Sequence, residues 1–258
     1  MNTTKLIALA ATLGASTAIA APAFAANVVA LAGDRDLVWV DSEAMATTGM
    51  KTVEGAEGRL LGIDVRPADG MLYGVFEDGT IATIDPESGM ATGVSTLATM
   101  LPDGVTATVD FNPVADRLRL MGNDGTNLRV NVDTGEVTED GSHAFGEQDQ
   151  TPDIIAGAYT NSYAGTEATQ LFNIDSSAWL VLQNPPNDGV LVPVGEIGMD
   201  VEQVGFDILS DGQGGNEAWL MSGGTLYAVD LESGAATEAG AVEGADAAVR
   251  DIAIMPAM

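Results

Sequence analysis

The sequence predicts an all-β fold, a β-propeller of five four-stranded blades, and three observations predict it. Short runs alternate apolar and polar residues with period 2, separated by Asp-Gly, Ser-Gly and Thr-Gly turns, which is the pattern of hairpins. The hairpins belong to a larger unit that recurs about every 47 residues, the length of one propeller blade. The third observation is a split unit. AVRDIAIMPA near the C-terminus reads as a first strand with nothing after it, and NVVALAGDRDLVWV near the N-terminus reads as later strands with no first one. Joined, they complete one blade and close a ring without unpaired edges. A β-sandwich would give similar strand spacing but not a unit of this length.

Taken in order, residues 1–25 come first. Lys5 precedes an apolar, alanine-rich stretch, and Ala23-Phe24-Ala25 supplies a small-residue cleavage pattern. This is the layout of a secretory signal peptide. Cleavage after Ala25 leaves one domain, residues 26–258, which is expected to be secreted or periplasmic. No later segment approaches the roughly 18 apolar residues of a membrane span, so no membrane insertion is expected after cleavage.

Four hairpins then follow one scheme: DLVWVDSEAMATTGM from Asp36, TIATIDPESGMATGVS from Thr80, NLRVNVDTGEVTEDG from Asn127 and TLYAVDLESGAATEAG from Thr225. Each is a strand, a tight turn and a second strand. In the last, Asp230 holds the bend and Gly234 takes the positive φ of a bulged hairpin. Upstream strand pairs begin at Leu60, Ala107, Ile155 and Gln203. One position can be followed through Asp64, Asp110, Tyr159, Asp207 and Ala253, at steps of 46, 49, 48 and 46 residues. NPPND at 184–188 reads as a loop inside one blade, and nothing divides the chain into two domains.

Composition narrows the function classes. Nine Lys plus Arg stand against 38 Asp plus Glu, a net charge of −29, which falls to −30 once Lys5 leaves with the signal. Such a surface repels nucleic acid and anionic membranes and attracts cations. The bland meaning is adaptation to a salty medium; the sharper one is divalent-cation binding. There is no cysteine and one histidine, so disulfides and a typical zinc site are ruled out. No nucleotide-binding glycine loop and no nucleophile elbow occur. His143, in DGSHAFGE, reads as a solvated loop residue. Trp39, Trp179 and Trp219 read as blade-packing residues.

Three of the scarce arginines, Arg117, Arg119 and Arg129, fall within thirteen residues of VDFNPVADRLRLMGNDGTNLRVN. Arg117 and Arg119 share one strand face, and Arg129 approaches from the neighbouring strand. With Asn127 they form either an anion-binding patch or an inter-blade ion-pair network, with Asp110, Asp116 and Asp124 as candidate partners.

This stretch, together with LLGIDVRPADGMLYGV, AYTNSYAG, LFNIDSS, NPPNDGVL and VGFDI, resembles the core motifs of a bacterial family of secreted proteins known as domain-of-unknown-function family 4394. The resemblance spans about residues 27–256. It implies an extracytoplasmic, propeller-like domain and no reaction. Asp110, Asn112, Pro113, Asp116, Arg117, Arg119, Asn127 and Arg129 fall where the family pattern has them.

The first strand of each blade lines a propeller's channel. Asp64, Asp110 and Asp207 are therefore expected to bring three carboxylates to the axis, with Tyr159 from a fourth blade. Three readings are open. The acids tie blade to blade through backbone N–H groups, or they bind a divalent cation such as Ca2+ through oxygen ligands, or two of them serve a carbohydrate-active hydrolase. No catalytic residue is assigned. The function expected is that of a non-catalytic, monomeric propeller that binds an extracytoplasmic ligand or protein partner.

Overall fold

The computed structural model of the chain describes residues 26–146, 151–245 and 249–255. Residues 1–25, expected from the sequence to be a signal peptide, lie outside the described residues. Blade one is built from β1 (Asn27–Ala32), β2 (Asp36–Asp41), β3 (Ala46–Thr52) and, from the far end of the chain, β20 (Val249–Met255). Blade two holds β4 (Leu60–Val65), β5 (Leu72–Phe76), β6 (Thr80–Ile84) and β7 (Ala91–Thr96). Blade three holds β8 (Ala107–Asn112), β9 (Arg117–Gly122), β10 (Asn127–Asn131) and β11 (Glu136–Glu139). Blade four holds β12 (Ile154–Tyr159), β13 (Leu171–Asp175), β14 (Trp179–Gln183) and β15 (Leu191–Glu196). Blade five holds β16 (Val204–Ser210), β17 (Asn216–Ser222), β18 (Thr225–Val229) and β19 (Ala236–Ala241). A single turn of 3-10 helix at Pro186–Asp188 occupies the loop expected inside blade four.

The five-bladed ring and its split blade are as the sequence predicts. Neighbouring inner strands touch in sequence around the ring, β4 to β8, β12, β16, β20 and back to β4. β20 closes it by pairing antiparallel with β1, Val28 opposite Ile254 and Ala30 opposite Ile252. No helix among the described residues is long and apolar enough to cross a membrane.

Burial runs outward. The inner strands are buried along nearly their whole length, whereas the outermost β3 is exposed over its last five residues. The core is therefore not one ball but a set of layers between adjacent blades. Between blades two and three, Tyr73 and Val75 meet Phe111, Leu118 and Leu120, and the Tyr73 and Phe111 rings sit edge to face at 5.4 Å. Each such large apolar side chain contributes about 1.5–3 kcal/mol by burial.

The turns follow the sequence chemistry. Asp41, Asp85 and Asp230 each accept two backbone N–H groups from the following turn, and Asn131 accepts one. Gly135 then takes φ +73, and a Cβ there would lie 1.9 Å from the Thr96 carbonyl oxygen of the preceding blade. Only glycine suits both the turn and that approach.

Candidate functional site

Alternation along the inner strands, with period 2, sends every second side chain towards the axis. Asp64 on β4, Asp110 on β8 and Asp207 on β16 meet there. One carboxylate oxygen from each lies within 4.8 Å of the others, and all three residues are buried. Each reaches the next blade. The Phe111 N–H donates to Asp64 Oδ2 at 2.6 Å, the Tyr159 N–H to Asp110 Oδ1 at 3.0 Å, and the Ile254 N–H to Asp207 Oδ2 at 2.6 Å. Asp64 and Asp207 also accept the N–H of the residue that follows them. Asp110 Oδ2 takes no hydrogen bond among the described residues.

These bonds correct the register at blade four. The amide that donates to each carboxylate belongs to the residue after the ring position, so Ala158, not Tyr159, is the counterpart of Asp64. Tyr159 points instead between blades three and four, where Arg119 Nε donates to its hydroxyl at 3.2 Å. The ring is thus three aspartates and two alanines, Ala158 and Ala253.

A fourth acid, missed in the sequence, lies one layer away. Asp251 on β20 accepts the Ile63 N–H of blade two at 2.8 Å and its neighbour Ile252 N–H at 3.0 Å. Its signal was present: Asp251 sits two residues before Ala253, on the same strand face, within an otherwise apolar alternation.

Burial dominates the electrostatics. It raises the carboxyls of Asp64, Asp110 and Asp251 well above the usual carboxylate range, and Asp207 to about 6. The Asp207 charge adds to the rise at Asp64, and Asp64 and Asp207 add to it at Asp110. Backbone N–H donors oppose the rise without cancelling it. The axis therefore wants positive charge, as a proton or as a cation.

It is reached from one mouth of the ring. Turns after the inner strands, with Pro67, Tyr163 and Asp211 among their residues, wall a funnel of about 500 Å³ with Asp64 and Asp207 among its lining.

The arginine stretch becomes a staple rather than an open patch. Arg119 is 1% exposed and donates to Tyr159, Asn127 Oδ1, Asn187 Oδ1 and Asp140 Oδ2, the last at 2.6 Å. Arg129 lies opposite Arg119 and grips the same Asp140 through Nε and Nη2, at 3.1 and 3.0 Å. Asn127 donates onward to the Gly141 and Pro186 carbonyls. Arg117 stands apart, bonding the Ala115 and Asp116 carbonyls. The bridging acid is Asp140, which the sequence reading did not consider. Burial alone would raise the Asp140 carboxyl, but Arg129 and Arg119 outweigh it and hold it below its usual value. Asp116 goes to Arg66, which also holds Asp133 and Asp69. Asp124 caps its own turn at Thr126.

His143 is buried, not solvated, at 6% exposed. Neither ring nitrogen has a hydrogen-bond partner among the described residues, and burial lowers its pKa to about 4. Of the tryptophans, Trp219 is buried as expected of a packing residue, while Trp39 and Trp179 are half-buried.

Fold and axis together define a class, the five-bladed propeller with an acid-lined centre. Residues 36–253 match the family described as Domain of unknown function (DUF4394), and the chain belongs to that family. No curated protein matches it. Among solved structures it resembles a protein of unknown function from Bacteroides thetaiotaomicron, at 16% identity and TM-score 0.53, covering 92% of this chain and 68% of that one. Another, from Bacteroides caccae and also of unknown function, aligns at 12% identity and TM-score 0.45 over 83% of this chain and 72% of that one. The computationally designed Ika8 protein aligns at 14% and TM-score 0.40 over 87% of this chain and 62% of the designed one. The first of these likenesses speaks to fold alone.

Proposed function

We propose that this is a non-catalytic, extracytoplasmic propeller that binds a divalent cation, calcium by its chemistry, in the Asp64–Asp110–Asp207 ring. It then presents that end of the axis to a ligand or protein partner. The observation that carries the reading is the convergence of three carboxylate oxygens within 4.8 Å. Two oxygens sharing a calcium ion at about 2.4 Å are separated by no more than that. The donors are all oxygen, as a hard cation requires, and calcium commonly takes 6–8 of them. A carboxylate oxygen that accepts one N–H keeps a lone pair for a metal, and Asp110 Oδ2 is wholly uncommitted. The commitment of each ring carboxylate to backbone amides argues against their use as the acid and base of a hydrolase.

Thermal unfolding of exhaustively chelated protein, at constant high ionic strength, tests this. Millimolar calcium should raise the midpoint by mass action where matched sodium does not. Asp110→Asn should abolish the rise. An equal rise in wild type and variant, or none in wild type, rejects the site.

A further inference from the structure

The opposite mouth of the ring has a different chemistry. A second cavity of about 590 Å³ opens there, at the starts of the inner strands. That volume suits a small molecule. Arg250 of blade one and Arg59, at the entrance to β4 of blade two, line one side. Asp153, at the entrance to β12 of blade four, and Glu202, just before β16 of blade five, line the other. Thr106 and Asn123 of blade three lie between.

None of these four charged groups forms an ion pair among the described residues. The five ion pairs found there all belong to Arg66, Arg119 and Arg129. The two arginines lack an acid partner there although acids outnumber Lys plus Arg 38 to nine. Opposite charges around one cavity collapse onto each other unless something holds them apart. Here the scaffold does so. Arg250 is anchored by the Gly33 and Leu60 carbonyls, at 2.6 and 2.8 Å, and more weakly by Asp34. It is near enough to Arg59 that, after burial, the Arg59 charge is what most lowers its pKa. Two guanidiniums lining one cavity repel each other until an anion joins them. On the far side, Asp153 Oδ1 is buried without a partner. A buried acceptor left unmade costs about 1–3 kcal/mol, and a donor from a ligand removes that cost.

We propose that this mouth is a binding site for a small zwitterion of the α-amino acid type, its carboxylate between Arg59 and Arg250 and its ammonium on Asp153 and Glu202. A plain carboxylate would answer the arginines and leave Asp153 unmet. A plain amine would do the reverse. A molecule carrying both charges answers both sides of the mouth. The site stands on the other end of the ring from the acidic axis and does not depend on calcium.

The test is a thermal-shift series on the full chain, with calcium and with chelator, against each of the twenty amino acids at millimolar concentration. At least one should raise the midpoint in both conditions. Its α-hydroxy acid and its decarboxylated amine should bind at least about tenfold more weakly, as loss of a charged hydrogen-bonded group implies. Arg59→Gln, at a half-buried residue whose side chain makes no hydrogen bond or ion pair among the described residues, should weaken the amino acid by a similar factor. Asp153→Asn should erase the preference over the hydroxy acid. No shift with any amino acid overturns the proposal. So does a hydroxy acid binding as well as the amino acid, or a shift that survives Arg59→Gln unchanged.

Discussion

Replacing Asp207 with Asn in calcium-free protein should cost stability in acid and little or nothing at neutral pH. Asp207 accepts two backbone amides at 2.6 Å, from Ile208 and from Ile254. An Asn carbonyl can take one, and the amide nitrogen then faces the other donor to donor. The lost buried bond costs about 1–3 kcal/mol at any pH. Against it stands the titration. The folded-state carboxyl is pushed up to about 6 from an ordinary 3.8. That difference is worth about 3 kcal/mol. A raised folded pKa means that the native state holds the proton more tightly than the unfolded chain. The stabilisation is therefore complete below 3.8 and is lost as pH rises through about 6. Wild type has lost it at about pH 7.5, while the Asn variant has nothing to lose. Urea unfolding followed by tryptophan fluorescence, with chelator and at constant ionic strength, reads both. The variant should be about 1–3 kcal/mol less stable than wild type near pH 4.5 and equal or more stable near pH 7.5. The same difference between wild type and variant at both pH values would refute a strained anionic ring.

His143 has the opposite sign. Its pKa falls from 6.5 to about 4 on folding, so its contribution is present above 6.5 and lost as pH drops towards 4. His143→Leu should leave stability at neutral pH unchanged or higher, since two orphaned nitrogens go, and should remove about 3 kcal/mol of acid sensitivity in urea titrations. Asp140→Ala strands the buried Arg119 beside Arg129 and should cost about 3–5 kcal/mol, measured by thermal or urea unfolding. Ending the chain before Val249 removes the closing strand; the truncated protein should lose cooperative unfolding and hydrogen-exchange protection in β1, β4 and β16. A synthetic peptide of residues 249–258 should restore both.

The architecture was legible because it is written twice, in period 2 along each strand and in a period near 47 along the chain. The axis was legible for the same reason, since a polar residue in the middle of a buried inner strand is a local contradiction that only an axial position resolves. Where period and local pattern disagree, reading fails. Tyr159 stands one residue past its true counterpart, because blade four has a small residue, Ala158, where blades two, three and five have an acid. Asp251 was passed over because the repeat pointed to Ala253, although both face the axis. Asp140 was not read as the arginines' partner because sequence proximity favoured Asp116 and Asp124. Asp140 lies at the end of β11 and turns back over the blade, a path that only the packed sheet defines. The two-sided mouth was invisible for a related reason. Arg59, Asp153, Glu202 and Arg250 belong to four blades and are joined only by ring closure.

The ring aspartates need not be either struts or ligands. Asp64 ties blade two to three, Asp110 ties three to four, Asp207 ties five to one and Asp251 ties one to two. The remaining joint, four to five, lacks an acid and has instead the reciprocal bonds of Asn161 and Asn216. Two of the four acidic ties flank blade one, the only blade assembled from both ends of the chain. Charge-assisted bonds to backbone amides are thus placed where chain connectivity gives least help. The same bonds hold three carboxylates in fixed orientation around one point, which is the preorganisation that a cation site requires. Their raised pKa values measure what that arrangement costs without a cation. A ring that only tied blades together would have no need to bring three like charges within one coordination radius.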